Sequence, residues 1–510
     1  MERVLDLMGF LIGLDVGSQS VKACTLDDSG RRLAVASAPC ELSFPAGGWA
    51  EQSPLSWQDG IVRSTREACE QAGITAADDV TLALACQVDG LVATDANRRP
   101  LRPAIIWMDR RASVESAALA DAAGVDRLRA ITGLNPDSSH SGPKAMWLRD
   151  HEPDNYARTR WLDSPAAFLN GWLAGAVVHD HANASSSLLY DLATRDWSPE
   201  LVQLAGLDEH RLPAITSAHA VIGNLAAAPA DKLGLRPGTR VVCGTGDDHA
   251  ATLGAGGTAP GMLVDVTGTA EPVTSPIGAM VVDPEGLVET HAHAVDGVLL
   301  LENPGFVSGG STRWLAELTG KSQADLLAAA TSSPAGSDGV LFLPALSGSM
   351  APRWNDHIRG CFVGLSLDHG VAQLSRAVLE GCAYALRDIV DRLEELGADA
   401  AELRVVGGGA RSDLWLQIKA DVTGRQVRRV LGDCATSTGA AMLAGIATGD
   451  FADAQQAVTA CVAVDAEPVL PDPQATTAYR EHYGAYRSLF DTVDEWTAGR
   501  RSAQPPSGTR

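Results

Sequence analysis

Apolar and polar positions along the chain follow one rhythm, and the rhythm occurs twice. Residues 11–14 are apolar and run into Asp15, 17–19 turn, and 20–26 return, closed by Asp27-Asp28-Ser29-Gly30, a pattern that predicts a β-hairpin over 11–26. Trp57, Ile61, Val62, Thr65 and Cys69 then recur at helical spacing over 57–72. The run at 80–86 predicts a buried strand, 104–107 a proline-bounded strand leading into a helix capped by Asp109, and 241–244 another buried strand. The second half restarts with strands at 262–267 and 271–275 and a hairpin of 291–295 with 298–301 around Asp296-Gly297. Val371, Leu374, Val378, Cys382 and Ala385 mark one face of a long helix over 369–396. Strands at 403–406 and 427–431, a small-residue helix at 439–447 and a final helix at 473–497 complete the pattern. The repeated order predicts two similar α/β lobes. The expected division is an N-terminal extension over 1–10, lobes over 11–253 and 254–497, and a disordered tail over 498–510.

Bulk composition narrows the function. With 510 residues, 45% of them hydrophobic, the chain exceeds what one core holds, in keeping with two lobes. Sixty-three Asp and Glu against forty Lys and Arg leave a net charge of −23, a field that repels nucleic acid and anionic membranes, so neither is an expected partner. Nine cysteines are scattered, never spaced C-x-x-C and mostly in apolar context, which points to free thiols in a reducing cytoplasm. No run reaches the roughly 18 apolar residues of a membrane span. Residues 1–10 lack the apolar stretch of a secretory signal.

Two segments about half a chain apart carry the chemistry. In Gly13-Leu14-Asp15-Val16-Gly17-Ser18-Gln19-Ser20 an apolar run ends in an Asp and breaks into small residues; Val264-Asp265-Val266-Thr267-Gly268-Thr269 repeats the break. Glycines let backbone N–H groups approach phosphate oxygens, hydroxyls add donors, and Asp15 can hold a metal-bound water. A strand-end turn Asp is the plainer alternative for Asp15 taken alone. Gly244-Thr245-Gly246-Asp247-Asp248-His249 follows a buried strand, and its paired carboxylates suit a general base facing a substrate hydroxyl or the capping of a helix, or one role each. Gly407-Gly408-Gly409-Ala410-Arg411-Ser412 follows a strand and lets a nucleotide press against backbone. Neither the Walker loop nor the dinucleotide fingerprint is present. His291 and His293 read as a structural pair more readily than as metal ligands, and Arg425, Arg428 and Arg429 as a solvated strand edge.

With these segments go Gly48-Trp49-Ala50-Glu51-Gln52, Leu101-Arg102-Pro103-Ala104-Ile105-Ile106-Trp107-Met108-Asp109-Arg110-Arg111, Phe342-Leu343-Pro344, Ala377-Val378-Leu379-Glu380-Gly381, and Trp415 with Gln417. In this order and spacing, from about Phe10 to Tyr486, the chain resembles the FGGY carbohydrate kinases, and among them the xylulokinase-like branch. The resemblance implies an α/β, two-lobed, actin-like (ribonuclease H-like) ATPase fold, with ATP and Mg2+ in the interlobe cleft and the sugar in the first lobe near the hinge. By the same resemblance Asp247 falls on the catalytic Asp and Asp15 on the Mg-ATP Asp. Ser18 and Gln19 fall on the first phosphate hairpin, Gly268 and Thr269 on the second. Gly310, Gly408 and Gly409 fall on nucleotide-contacting glycines, and Ser412 lies near the adenine edge. Gln87, Val88, Asp89, Trp107, Asp247 and Asp248 form the acceptor site. A homodimer is an expectation of the same kind.

The acceptor site departs from the branch. Xylulokinases carry Gln-Met-His-Gly where this chain has Gln87-Val88-Asp89-Gly90, and Asn or Gln where it has Asp248. Carboxylates accept hydrogen bonds only and favour acceptors that present hydroxyls. A glycerol kinase has an acidic residue at the position of Asp89, with an adjacent Arg where this chain has Val88. D-xylulose is the first acceptor expected; a pentitol, a tetritol such as erythritol, or another ketopentose follows. A non-transferring relative of the ATPase fold, such as an Hsp70-like binder, a filament protein or a regulatory homologue, is the alternative of a different class. Asp247 speaks against it.

Overall fold

The computed structural model describes residues 9–503 apart from 356 and 399. The first sheet begins as an antiparallel meander of β1 (Gly9–Val16), β2 (Ser20–Asp27) and β3 (Arg32–Pro39). Helix α1 (Pro54–Ala72) leads to β4 (Asp79–Cys86), parallel to β1. A helical insertion that includes α2 (Ser141–His151) separates β4 from β5 (Arg240–Gly246), which lies parallel to β4 and is followed by α3 (Asp247–Gly254). The order is β3-β2-β1-β4-β5, with the short strand Val221–Asn224 at the edge.

The second sheet repeats this. An antiparallel set, β6 (Met262–Val266), β7 (Val273–Ile277), β8 (Glu289–Ala292) and β9 (Leu299–Asn303), precedes α4 (Gly309–Thr319) and α5 (Val371–Glu395). Then β10 (Glu402–Val406) pairs parallel to β6, α6 (Asp413–Thr423) follows, and β11 (Gln426–Arg429) pairs parallel to β10. The order is β8-β9-β7-β6-β10-β11. Helices α7 (Ala435–Thr448) and α8 (Pro473–Ala503) close the chain.

Alternation sorts the side chains of β1 between two cores. Ile12, Leu14 and Val16 pack with Trp57 and Ile61 of α1, whereas Leu11 packs with Ala440 and Leu443 of α7 on the opposite face. A helix from the second half of the chain thus covers the first sheet. It also crosses α3 at close range: a Cβ on Gly254 would lie 2.0 Å from the carbonyl oxygen of Ala435, and one on Gly439 2.0 Å from that of Ala250. In return Thr252 of α3 reaches Thr274 of β7 at 2.8 Å. The helix that follows β5 and the helix that follows β11 therefore form the interlobe junction.

Several expectations shift. β3 escapes a hydrophobicity reading because its buried positions, Ala34, Ala36 and Ala38, are alanines. Asp109 does not cap a helix; α-helical structure begins at Ser113 with Ala112 in the cap position. Instead the buried Asp109 carboxylate accepts from the backbone N–H of Ala50 at 2.6 Å and pairs with Arg111. β7 starts two residues late because the Gly268 turn is longer, with Val266 N–H bonded to the Pro272 carbonyl. The β8–β9 ladder ends at Ala292 opposite Leu299, short of His293. The last helix runs to Ala503, so 498–503 are helical rather than tail. Residues 1–8 and 504–510 lie outside the described residues.

Candidate active site

The β1–β2 turn carries Asp15, Ser18 and Gln19 at one end of the first sheet. Asp15 stands opposite Lys22, whose Nζ is 4.0 Å from its carboxylate. Burial pushes the Asp15 carboxyl up to about 6, against the pull of Lys22. Ser18 is held twice: its hydroxyl accepts from the Trp107 indole N–H at 2.9 Å, and its carbonyl accepts from the Gln52 amide at 2.6 Å. Gln52 also accepts from Gln87 at 2.9 Å, which ties the end of β4 to the turn. Gln87 itself is buried.

Asp247 and Asp248 are placed by a bulge. Pairing of β5 with β4 slips between Val242 and Thr245, and Gly244 sits there at φ 77° with Leu84 backbone against its Cα. The strand end is thereby re-aimed into α3, which opens with both carboxylates. Gly246 is the cap residue, and Asp247 Oδ1 accepts the Asp248 N–H at 3.2 Å. The capping alternative is thus only partly realised. Burial, with Asp248 and Asp15 adding, holds the Asp247 carboxyl well above the usual carboxylate range. Burial also lifts Asp248 to about 6, opposed by His291 and reinforced by Asp89 and Asp15. Asp15, Asp89, Asp247 and Asp248 thus feel one another's charge, from the end of β1, the turn after β4 and the start of α3.

The second lobe offers a cavity of about 300 Å³. Gly268, Thr269, Gly408, Gly409 and Ser412 line it, joined by Gly309, Thr312, Arg313 and Trp415. Gly310 lies one residue off the lining, its N–H bonded to the Thr269 carbonyl at 3.0 Å. Ser412 caps α6 by accepting the Trp415 N–H at 3.2 Å. Gly309 N–H bonds to the Gly268 carbonyl at 3.0 Å, so the turn after β6 is docked on the start of α4. The glycine-hydroxyl run Gly309-Gly310-Ser311-Thr312 at a helix start was a legible sign of this wall.

Other side chains behave differently from their sequence reading. The arginines at 425, 428 and 429 are committed to ion pairs, among them Arg428 with Glu402 at 2.8 Å and Arg429 with Asp465 at 3.2 Å. They are not a free solvated edge. His291 stands edge-on to His249 with ring centroids 5.7 Å apart. Burial and the carboxylates Asp248, Glu289, Asp89 and Asp247 push Glu302 of β9 well above its usual range. Glu302, His140 and Lys144 belong to this neighbourhood and had no sequence signal, because each arrives from a distant element.

Residues 10–254 match the model of the FGGY family of carbohydrate kinases, N-terminal domain, and residues 241–448 that of the C-terminal domain. The chain is 31% identical to a xylulose kinase of Escherichia coli over 484 residues, 94% of this chain and 99% of the relative. It is 32% identical to a glycerol kinase of Aromatoleum aromaticum over 461 residues, 87% and 90% of the two chains. The crystal structure of xylulose kinase from Rhodospirillum rubrum matches with a TM-score of 0.86 at 30% identity, covering 96% of this chain and 100% of that one. The chain belongs to the FGGY family of carbohydrate kinases, sugar phosphotransferases with an actin-like two-lobed fold that use ATP.

Proposed function

We propose that this kinase transfers the γ-phosphoryl group of ATP to a terminal hydroxyl of D-xylulose. The observation that carries the reading is Asp247, a half-buried carboxylate of raised basicity at the start of α3, within reach of the Asp15 charge. The relatives named xylulose kinase, matched along nearly the whole chain, support the acceptor.

Each residue has a task in this reading. The acceptor lies among Gln87, Val88, Asp89, Trp107 and Asp248. Asp247 orients the terminal hydroxyl and takes its proton as the oxygen attacks the γ-phosphorus in line; the bond to the β–γ bridging oxygen breaks and ADP leaves. Ser18 and Gln19 of one turn and Gly268 and Thr269 of the other hold the phosphates by backbone and hydroxyl donors. Gly310, Gly408, Gly409 and Ser412 border the nucleoside in the second-lobe cavity. Among the described residues no three acidic, histidine or cysteine side chains come together closely enough to hold a metal ion, so Mg2+ would arrive on the nucleotide phosphates, with the Asp15 carboxylate as its contact from the protein. When bound, Mg2+ neutralises charge on the phosphate oxygens. The helix pair at the junction supports closure of the lobes, which excludes water from the reaction.

A second reading keeps the chemistry and changes the acceptor to a polyol or another ketose. Asp89 and Asp248 favour it, since both present only acceptors to the substrate. No described helix is long and apolar enough to cross a membrane. Six of the nine free thiols are buried, which supports a reducing cytoplasm as the location; a homodimer belongs to the same reading and light scattering tests it.

The experiment is coupled ADP production with ATP and Mg2+ over ketopentoses, pentitols, tetritols and glycerol, with Asp247→Ala as control. Turnover of D-xylulose that the variant loses supports the first reading. Turnover of a polyol alone transfers support to the second. Undiminished turnover in Asp247→Ala refutes the role of Asp247.

A further inference from the structure

Asp89 holds an unusual backbone: φ is 62°, the left-handed region that non-glycine residues adopt only where their surroundings enforce it. Two buried basic side chains hold it there. Lys144 on α2 donates from Nζ to the Asp89 carbonyl at 2.7 Å and also to the Ser139 carbonyl. His140, the residue before α2, takes the side chain. Its Nδ1 lies 3.2 Å from Asp89 Oδ1 and 2.8 Å from the Ser186 carbonyl, and its Nε2 lies 3.2 Å from the Asn135 carbonyl.

These contacts decide the charge of the ring. A backbone carbonyl only accepts, and one stands at each ring nitrogen, so both nitrogens must carry protons. The ring is an imidazolium, 3% exposed, beside an Asp89 side chain that keeps 15% open. Charged neighbours on every packed side agree. Burial opposes the charge, but Asp89 after β4, Glu289 of β8 and Asp137 ahead of α2 lift His140 to about 9. Asp137 is itself paired with Arg110, and burial lowers neighbouring Lys144 to about 7. The second lobe braces the group: Glu289 is 3.9 Å from His140 Nε2 and accepts the Asn135 N–H at 2.8 Å.

We infer that His140 is a positioning residue: with Lys144 it clamps Asp89 so that the carboxylate meets the phosphoryl acceptor as a fixed hydrogen-bond acceptor, selecting substrates that present a hydroxyl there. The inference rests on the assignment of Asp89 to the acceptor site. It goes beyond that assignment in naming what holds the carboxylate and why a carboxylate is workable where the xylulokinase-like branch has histidine: in this chain an imidazolium stands one layer behind the carboxylate and balances its charge.

The test joins a spectrum to kinetics, both on the full-length chain. Histidine-selective 15N NMR of the wild type should show His140 doubly protonated at pH 7 and titrating near 9, and Asp89→Asn should make it titrate at lower pH. A neutral His140 at pH 7 overturns the clamp. In kinetics, His140→Gln should raise KM for D-xylulose about tenfold or more, with KM for ATP unchanged and thermal unfolding preserved. An unmoved acceptor KM in a folded variant overturns the positioning role. If His140→Gln does not fold, Asp89→Asn must show the same selective rise in KM. Absence of wild-type turnover with D-xylulose sinks the acceptor assignment and not the clamp, which the histidine spectrum decides alone.

Discussion

Asp15 and Asp265 occupy the same place in the two lobes and have opposite fates. Each is one residue short of the end of the first strand of its sheet: Asp15 pairs with Ala85 and Val16 with Cys86, while Asp265 pairs with Val405 and Val266 with Val406. Asp15 keeps 15% of its side chain open, and among the described residues its ion-pair partner is Lys22, at 4.0 Å. Asp265 is fully buried against the Lys419 ammonium, which also donates to Thr267 at 2.6 Å and Glu271 at 3.0 Å. One carboxylate is left short of counter-charge and available to a cation. The other is neutralised from within and belongs to the core of its lobe. Position in the fold does not make a carboxylate functional; the lack of an internal partner does.

The comparison breaks apart most sharply at Asp247, the carboxylate proposed as the base. Asp247→Asn is expected to lower kcat by about 10² to 10⁴ while thermal stability is preserved. Its counterpart is Lys419→Met, which leaves Asp265 and Glu271 facing each other in the second core. Denaturant unfolding should show a loss of about 3–5 kcal/mol, with kcat of the folded fraction little changed. If Lys419→Met is as stable as wild type, the structural reading of Asp265 is wrong.

Asp15→Asn comes next. It should weaken kcat/KM for Mg-ATP by about ten- to a hundredfold, the scale of one charge-assisted contact. Folding raises this carboxyl to about 6, so its contribution to stability is present at low pH and lost as pH rises through 6. The variant should therefore gain in melting temperature relative to wild type between pH 4.5 and pH 7. A gap that narrows over that range contradicts the assigned environment.

A related profile follows from Asp15 and Asp248 together. Burial lifts both to about 6, so kcat/KM should fall on the acid side of pH 6, where protonation removes the charge proposed to meet the cation and the acceptor. The smallest effect expected is a change of acceptor preference. Asp89→His should shift the ratio of kcat/KM values toward D-xylulose over xylitol by roughly tenfold or less, one hydrogen bond's worth. An unchanged ratio removes Asp89 from acceptor selection.

Much of this molecule was legible without coordinates. The two hairpins, the buried strands, the long helix at 371–395 and the glycine turns that line the cavity all lie in contiguous residues, where side-chain period and glycine mark the backbone directly. The meander strand β3 was lost because alanine buries little surface and leaves little pattern. The acidic residues of the site were named one by one, but their chemistry was not. His140 reaches Asp89 from 51 residues away, and nothing in either local sequence announces the pair.

The sequence by itself determined the repeat, the element types and the identity of the residues that line the cleft, since these follow from local backbone preference and from which side chains are present. Only the tertiary structure decided which carboxylates stay unpaired. Lys419 stands 154 residues from Asp265 and is absent from the corresponding place in the first lobe, and α7 crosses over to cover β1 and meet α3. The physical reason is that a carboxylate's basicity depends on burial and on the charges within a few ångströms, and folding chooses those neighbours from anywhere in the chain.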